Sequence, residues 1–222
     1  MIQKPRRVPR NAALLIVLLF MMLIGPLIHS EEAWFLGEMT FDLVLLAGVH
    51  SAGPGKHRWP FLLLTVVTLA VRWGELMSGY HGLDIGALAI TVVWISYAVF
   101  ILIGHLFQRR DVTVDTILGA VVTYLLAAVA FMMLFQVIEL QSPGSFRGLA
   151  DNIHQDRTAL SDTMMYFSLV CMTTIGYGDI VPVSDVARPL AVIEGVFGQL
   201  YLAVMIARLV GLHIASERNS LP

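Results

Sequence analysis

The chain has 222 residues, of which 57% are hydrophobic and only 14% charged, where an ordinary soluble domain has about 25% charged residues. With a mean hydropathy of +0.77, this counts against a water-soluble enzyme, a disordered chain and a collagen-like one. A net charge of -2 carries no footprint for nucleic acid, and the single cysteine, Cys171, excludes a disulfide framework or a cysteine-based metal site within one chain.

Lys4, Arg6, Arg7 and Arg10 make a basic N-terminal segment, 1–10. An uncharged stretch, 11–30, follows without a small-residue cleavage pattern, so it reads as an anchored span and not a removed signal peptide. Glu31 and Glu32 interrupt, and a second span, 33–49, carries Glu38 and Asp42 inside it. A Gly/Pro/basic loop, 50–59, leads to a third span, 60–78, with Arg72 and Glu75 near its end. After a short turn the fourth span, 85–108, is free of charge, and Arg109, Arg110 and Asp111 close it. The fifth span, 116–138, is also uncharged. A polar connection, 139–160, contains the turn signal Pro143-Gly144. The apolar stretch after it, 163–172, is too short to cross a bilayer and reads as a re-entrant segment. The sixth span is 189–214.

Six spans put both termini on one side. That side receives ten of the fourteen Lys and Arg residues, while Glu31, Glu32, Asp84, Asp151, Asp156, Asp179 and Asp185 fall on the other. The basic side is cytoplasmic, so the re-entrant segment enters from outside.

Directly after that segment the chain reads Thr173-Thr174-Ile175-Gly176-Tyr177-Gly178-Asp179. Irregular backbone at bilayer depth is tolerated only where it lines a watery path or is buried in protein. An ion filter has a use for such backbone, because carbonyl oxygens aimed at one axis can replace the hydration shell of a potassium ion. That shape needs dihedrals of alternating hand, which glycine adopts cheaply. The carbonyls of Thr174, Ile175, Gly176 and Tyr177, with the Thr174 hydroxyl, are the candidate oxygen rings, and Gly178 completes the strand. Tyr177 packs behind the filter, and Asp179 at the outer mouth concentrates cations. Ser161 reads as the N-cap of the re-entrant helix with Asp162 in its first turn, and its C-terminal end then favours a cation in a central cavity.

The run from Tyr166-Phe167-Ser168 through the filter string to Pro182 resembles the pore signature of potassium channels. The likeness covers 113–214, roughly half the chain. It implies an all-α membrane protein in which four chains surround one pore, with 111–214 as the pore domain; the hydrophobic segments before it read as a four-helix domain (11–110), and 215–222 as a short cytoplasmic tail. It assigns Tyr166 and Phe167 to pore-helix packing and the sixth span to the inner, pore-lining helix. Gly198, or Gly195 nearby, is the candidate hinge, with close helix packing the equal alternative. Leu202, Ile206 and Val210, spaced by four, are the candidate cavity and gate lining. Glu194, inside the sixth span, faces protein or water and hydrogen-bonds behind the filter in preference to joining the permeation path.

Six spans ending in a pore resemble voltage-gated channels in outline, but a sensor needs charge that moves through the field, at about 2.3 kcal/mol per elementary charge per 100 mV. The fourth span contains no Lys or Arg, so classical voltage gating is not expected. Asp42 and Arg72 lie at similar depths; Arg72 is expected to pair with Asp42, Glu38 or Glu75 and hold the front domain together. No histidine pair has metal-ligand spacing, so K+ is the only metal expected, as the permeant ion, with no cofactor and no enzymatic site. Only about eight residues follow the sixth span, which leaves no room for a nucleotide- or calcium-binding module there; a regulatory partner could be separate. The expected partners are lipid and identical subunits, in a bacterial inner membrane. The leading reading is a passive potassium-selective homotetramer. A less selective cation channel, a potassium transporter subunit and a non-conducting scaffold are the alternatives.

Overall fold

A computed structural model describes residues 9–24, 31–52, 58–78, 84–108, 111–155 and 157–218. It contains seven α-helices: α1 (Arg10–Ile24), α2 (Glu31–Ala52), α3 (Arg58–Ser78), α4 (Asp84–Gln108), α5 (Val114–Gln141), α6 (Arg157–Met172) and α7 (Ala187–Arg218). Among the described residues, α4, α5 and α7 are long and apolar enough to cross a membrane, whereas the apolar parts of α1 and α2 are shorter. That is a coarser result than six spans.

The front helices bury one another through apolar side chains and satisfied polar ones. Trp94 of α4 is fully buried, stacks on Phe61 of α3 with ring centroids 4.9 Å apart, and donates from Nε1 to Thr65 Oγ1 at 2.7 Å. Thr65, Thr68, Thr91 and Thr123 return their hydroxyls to the carbonyl one turn back. A threonine can therefore sit in an apolar helix without an orphaned proton.

α4 and α1 both pack along α5 of the same chain. Only residues 109–113 separate α4 from α5. Thr113 caps α5: its hydroxyl accepts from Thr116 N at 3.2 Å, and Thr116 Oγ1 accepts from Thr113 N at 3.4 Å. This reciprocal bond satisfies two of the free amides at a helix start. Asn11 at the start of α1 then donates to Asp115 twice, from N to Oδ1 at 3.0 Å and from Nδ2 to the carbonyl at 2.8 Å.

Two expectations about boundaries are corrected. The connection after the fifth span does not begin at Glu139, which is inside α5 and buried. Its carboxylate accepts from the amides of Gly144 (2.8 Å) and Phe146 (3.1 Å), so it organises the turn that follows. Nor is Ser161 an N-cap. α6 begins four residues earlier, at Arg157, and Ser161 Oγ instead accepts from Gln136 Nε2 of α5 at 2.9 Å; a tertiary partner took the hydroxyl that local chemistry assigned to the helix start.

The all-α expectation also misses a small ribbon. β1 (Phe146–Arg147) pairs antiparallel with β2 (Val181–Pro182), and Val183 N donates to Ser145 O at 2.8 Å. The ribbon ties the segment after α5 to the segment after the filter string. Two-residue strands show no alternation in sequence.

Candidate ion-conducting site

α6 has 16 residues, a length of about 24 Å, short of the roughly 30 Å hydrocarbon layer. It packs between α5 and α7. Phe167 is buried edge-to-face against Phe135 and Phe146, with centroids 5.1 and 5.2 Å apart. Three elements meet at its last residue, Met172. Tyr124 of α5 donates its hydroxyl to the Met172 carbonyl at 2.9 Å, and Gly198 of α7 lies so close that an added Cβ would stand 2.5 Å from the same oxygen. Gly198 is thus a close-packing glycine. α7 continues as unbroken helix through it and through Gly195, where an added Cβ would meet nothing within 4 Å.

Beyond Met172 the backbone alternates in hand. Thr174 (φ 60°), Gly176 (φ 59°) and Gly178 (φ 78°) are left-handed, while Ile175 and Tyr177 between them are not. The amides of Ile175 and Gly176 turn back to the Val170 carbonyl, at 3.0 and 3.4 Å. Among the described residues, no backbone amide donates to the carbonyls of 174–178. Residues 173–179 are all exposed on the single chain, Tyr177 at 69%. The site is therefore an exposed strip whose carbonyls accept no backbone amide among the described residues, held from behind by its own helix.

Its C-terminal end is fastened. Tyr166 stacks on Tyr177 with rings 5° from parallel and donates its hydroxyl to Asp179 Oδ2 at 2.6 Å. That bond holds the Asp179 carboxyl below the usual carboxylate range. Gly148 (φ 95°) lies against the Asp179 carbonyl, where any Cβ would collide. At its N-terminal end Gln199 Nε2 of α7 reaches Thr174 Oγ1 at 3.5 Å. Below it Leu202, Ile206 and Val210 are exposed on the chain.

Glu194 does not reach the strip. It is fully buried behind it, hydrogen-bonded to Ser168 of α6. The pair Asp42–Arg72 lies far along the chain, in the front helices: Arg72 Nε is 3.6 Å from Asp42 Oδ1, Arg72 covers the Phe41 ring, and Trp73 Nε1 donates to Asp42 Oδ2 at 3.0 Å. Glu75 is on α3 with Arg72, and the side chain of Glu38 lies outside the described residues. Lys4, Arg6, Arg7, Lys56, Arg109 and Arg110, on which the orientation rests, lie outside them too. Sequence reasoning missed Ser168, Tyr124, Gly148 and Gln199. Only Gln199 carried a usable signal, a polar side chain in the apolar middle of α7.

A short helix, an exposed strip of alternating backbone hand and two flanking long apolar helices are the arrangement that the comparisons with known proteins bear on. Residues 112–213 match the family model for ion channels. Two curated relatives align. Protein LctB of Bacillus caldotenax is 26% identical over 98 residues, covering 44% of this chain and 72% of that protein. The inward rectifier potassium channel Kirbac3.1 of Paramagnetospirillum magnetotacticum is 35% identical over 83 residues, covering 37% of this chain but 23% of the relative. No solved structure gives a significant match.

Proposed function

We propose that the chain is a potassium-selective channel in which four identical copies surround one pore and conduct passively. The observation that carries this reading is the exposed, alternating strip from Thr174 to Gly178. Among the described residues, no backbone amide donates to its carbonyls. Bare carbonyls are not stable against lipid; facing identical strips across an axis, they supply the oxygen rings that replace potassium's water. One chain provides one strip, so the site is incomplete without its copies. The Thr174 hydroxyl adds an inner ring, and Asp179 raises the cation concentration outside. Leu202, Ile206 and Val210 line the cavity and gate. α1 to α3 also cross, which places both termini on the cytoplasmic side of a bacterial inner membrane. With no basic residue within the fourth crossing helix before its end, the channel lacks a classical voltage sensor.

The test is potassium flux into proteoliposomes holding the purified chain. Barium-sensitive uptake that prefers potassium over sodium is expected. Equal sodium uptake points to a nonselective pore, coupled uptake against a gradient to a transporter, and no uptake to a scaffold.

A further inference from the structure

Behind the filter strip, three helices meet at a small buried polar site. Glu194 of α7 is fully buried within the single chain, so neither lipid nor a neighbouring copy reaches it. Its Oε1 is hydrogen-bonded to the Ser168 hydroxyl of α6, and its Oε2 has no hydrogen-bond partner. Ser168, also buried, lies 2.9 Å from the carbonyl oxygen of Ala128 in α5.

The protons must be counted. A serine hydroxyl carries one proton, and a carbonyl or an ionised carboxylate can only accept. Ser168 therefore cannot serve Ala128 and an ionised Glu194 together, and one of the two oxygen–oxygen contacts would be left without a hydrogen. A second proton resolves the arrangement. The Glu194 carboxyl donates to Ser168 Oγ, and Ser168 donates to the Ala128 carbonyl. Oε2 is then a neutral carbonyl oxygen, far cheaper to leave unpaired than a buried charge. The titratable groups that face Glu194 are Tyr124 of α5 and Cys171 of α6. Both are acids that are neutral when protonated, so neither offers a positive charge to compensate an anion.

We infer that Glu194 is a proton-binding site: held as a neutral carboxylic acid, it clamps the inner helix α7 through Ser168 to the pore helix α6 and the outer helix α5. Its role is positioning. α6 carries the filter strip at its C-terminal end, so release of the proton breaks the chain of donors and frees the helix that sets the strip. The consequence for flux rests on the channel reading above; the protonation itself does not.

The experiment uses the full chain reconstituted in lipid, read by infrared difference spectroscopy and by potassium flux across a pH series. The wild type is expected to show the carbonyl stretch of a protonated carboxylic acid that is missing in Glu194→Gln and fades on alkaline titration. Flux should fall over the same interval, by about tenfold per pH unit, the limiting slope for one released proton. Glu194→Leu should lose flux, and Glu194→Gln should restore it with a flat alkaline profile, since an amide donates to Ser168 and has no proton to lose. A wild type without the protonated-acid band overturns the proposal even if no variant folds. So does Glu194→Gln with an unchanged alkaline decline. A wild type that shows the band but passes no potassium at neutral pH overturns the channel reading and leaves the proton site standing.

Discussion

Thr174 and Gly176 take the same left-handed backbone, φ 60° and 59°, yet only one of them is glycine. An L-residue in that region costs about 1–2 kcal/mol, so the strip already stores strain at Thr174. Gly176→Ala would add a second such cost per subunit. No atom of the chain lies within 4 Å of the added Cβ, so the effect is conformational and not steric. The expected outcome is loss of potassium-over-sodium preference in reversal-potential measurements; an unchanged ratio would refute the carbonyl-ring account. At the outer mouth, the Tyr166 bond lowers the Asp179 carboxyl. A depressed carboxyl contributes above its unfolded value, near pH 4, and that contribution is lost as pH falls through the folded value. Tyr166→Phe removes the bond, so acid loss of flux should move to higher pH than in the wild type. A pH series on both proteins decides it, and coincident acid limbs would count against the role given to Tyr166.

At the scale of elements, α6 is set in place at Met172 by the Tyr124 hydroxyl and the bare face of Gly198, and at Phe167 by the ring cluster with Phe135 and Phe146. Gly198→Val should push α7 off the pore helix and lower stability by about 1–3 kcal/mol, the usual cost of overpacking. Gly195→Ala, with open space around it, should be neutral or gain a few tenths of a kcal/mol from helix propensity. Thermal unfolding in detergent, read side by side, checks the pair; the reverse order would make Gly195 the contact and Gly198 the bend. The expectation for Ser161 fails at this same scale. Serine before an apolar run is a sound capping signal, but Gln136, far away in sequence, claims its hydroxyl. Local rules place helices; they do not see a partner on another helix.

Over the whole molecule, the front helices lie against the pore of their own chain. Leu106 of α4 packs with Ala120, Tyr201 and Met205, and Arg208 of α7 donates to the Leu106 carbonyl at 2.7 Å. The surface of α5 that α1 and α4 cover is mostly apolar, and lipid can replace an apolar neighbour at little cost. Deleting residues up to 108 should therefore leave a tetramer on a native gel, with a lower melting temperature because Arg208 loses its carbonyl partner. Monomers would show that the front helices are needed for assembly. The Asp42–Arg72 pair belongs to that front unit, so its removal should weaken the unit and spare the pore.

The membrane class, the three long apolar helices and the need for glycine at 176 and 178 were legible from residues alone. Hydrophobic length, charge and glycine spacing act locally, through backbone conformation and transfer from water, and need no knowledge of neighbours. Tertiary structure alone decided what the solitary polar groups do. It set Ser168 between Glu194 and Ala128, turned Glu139 onto the amides of Gly144 and Phe146, and brought Gly148 against Asp179. Each of these depends on a partner distant in the chain. A buried hydrogen bond is specified by where two helices meet, and only the packed molecule determines that.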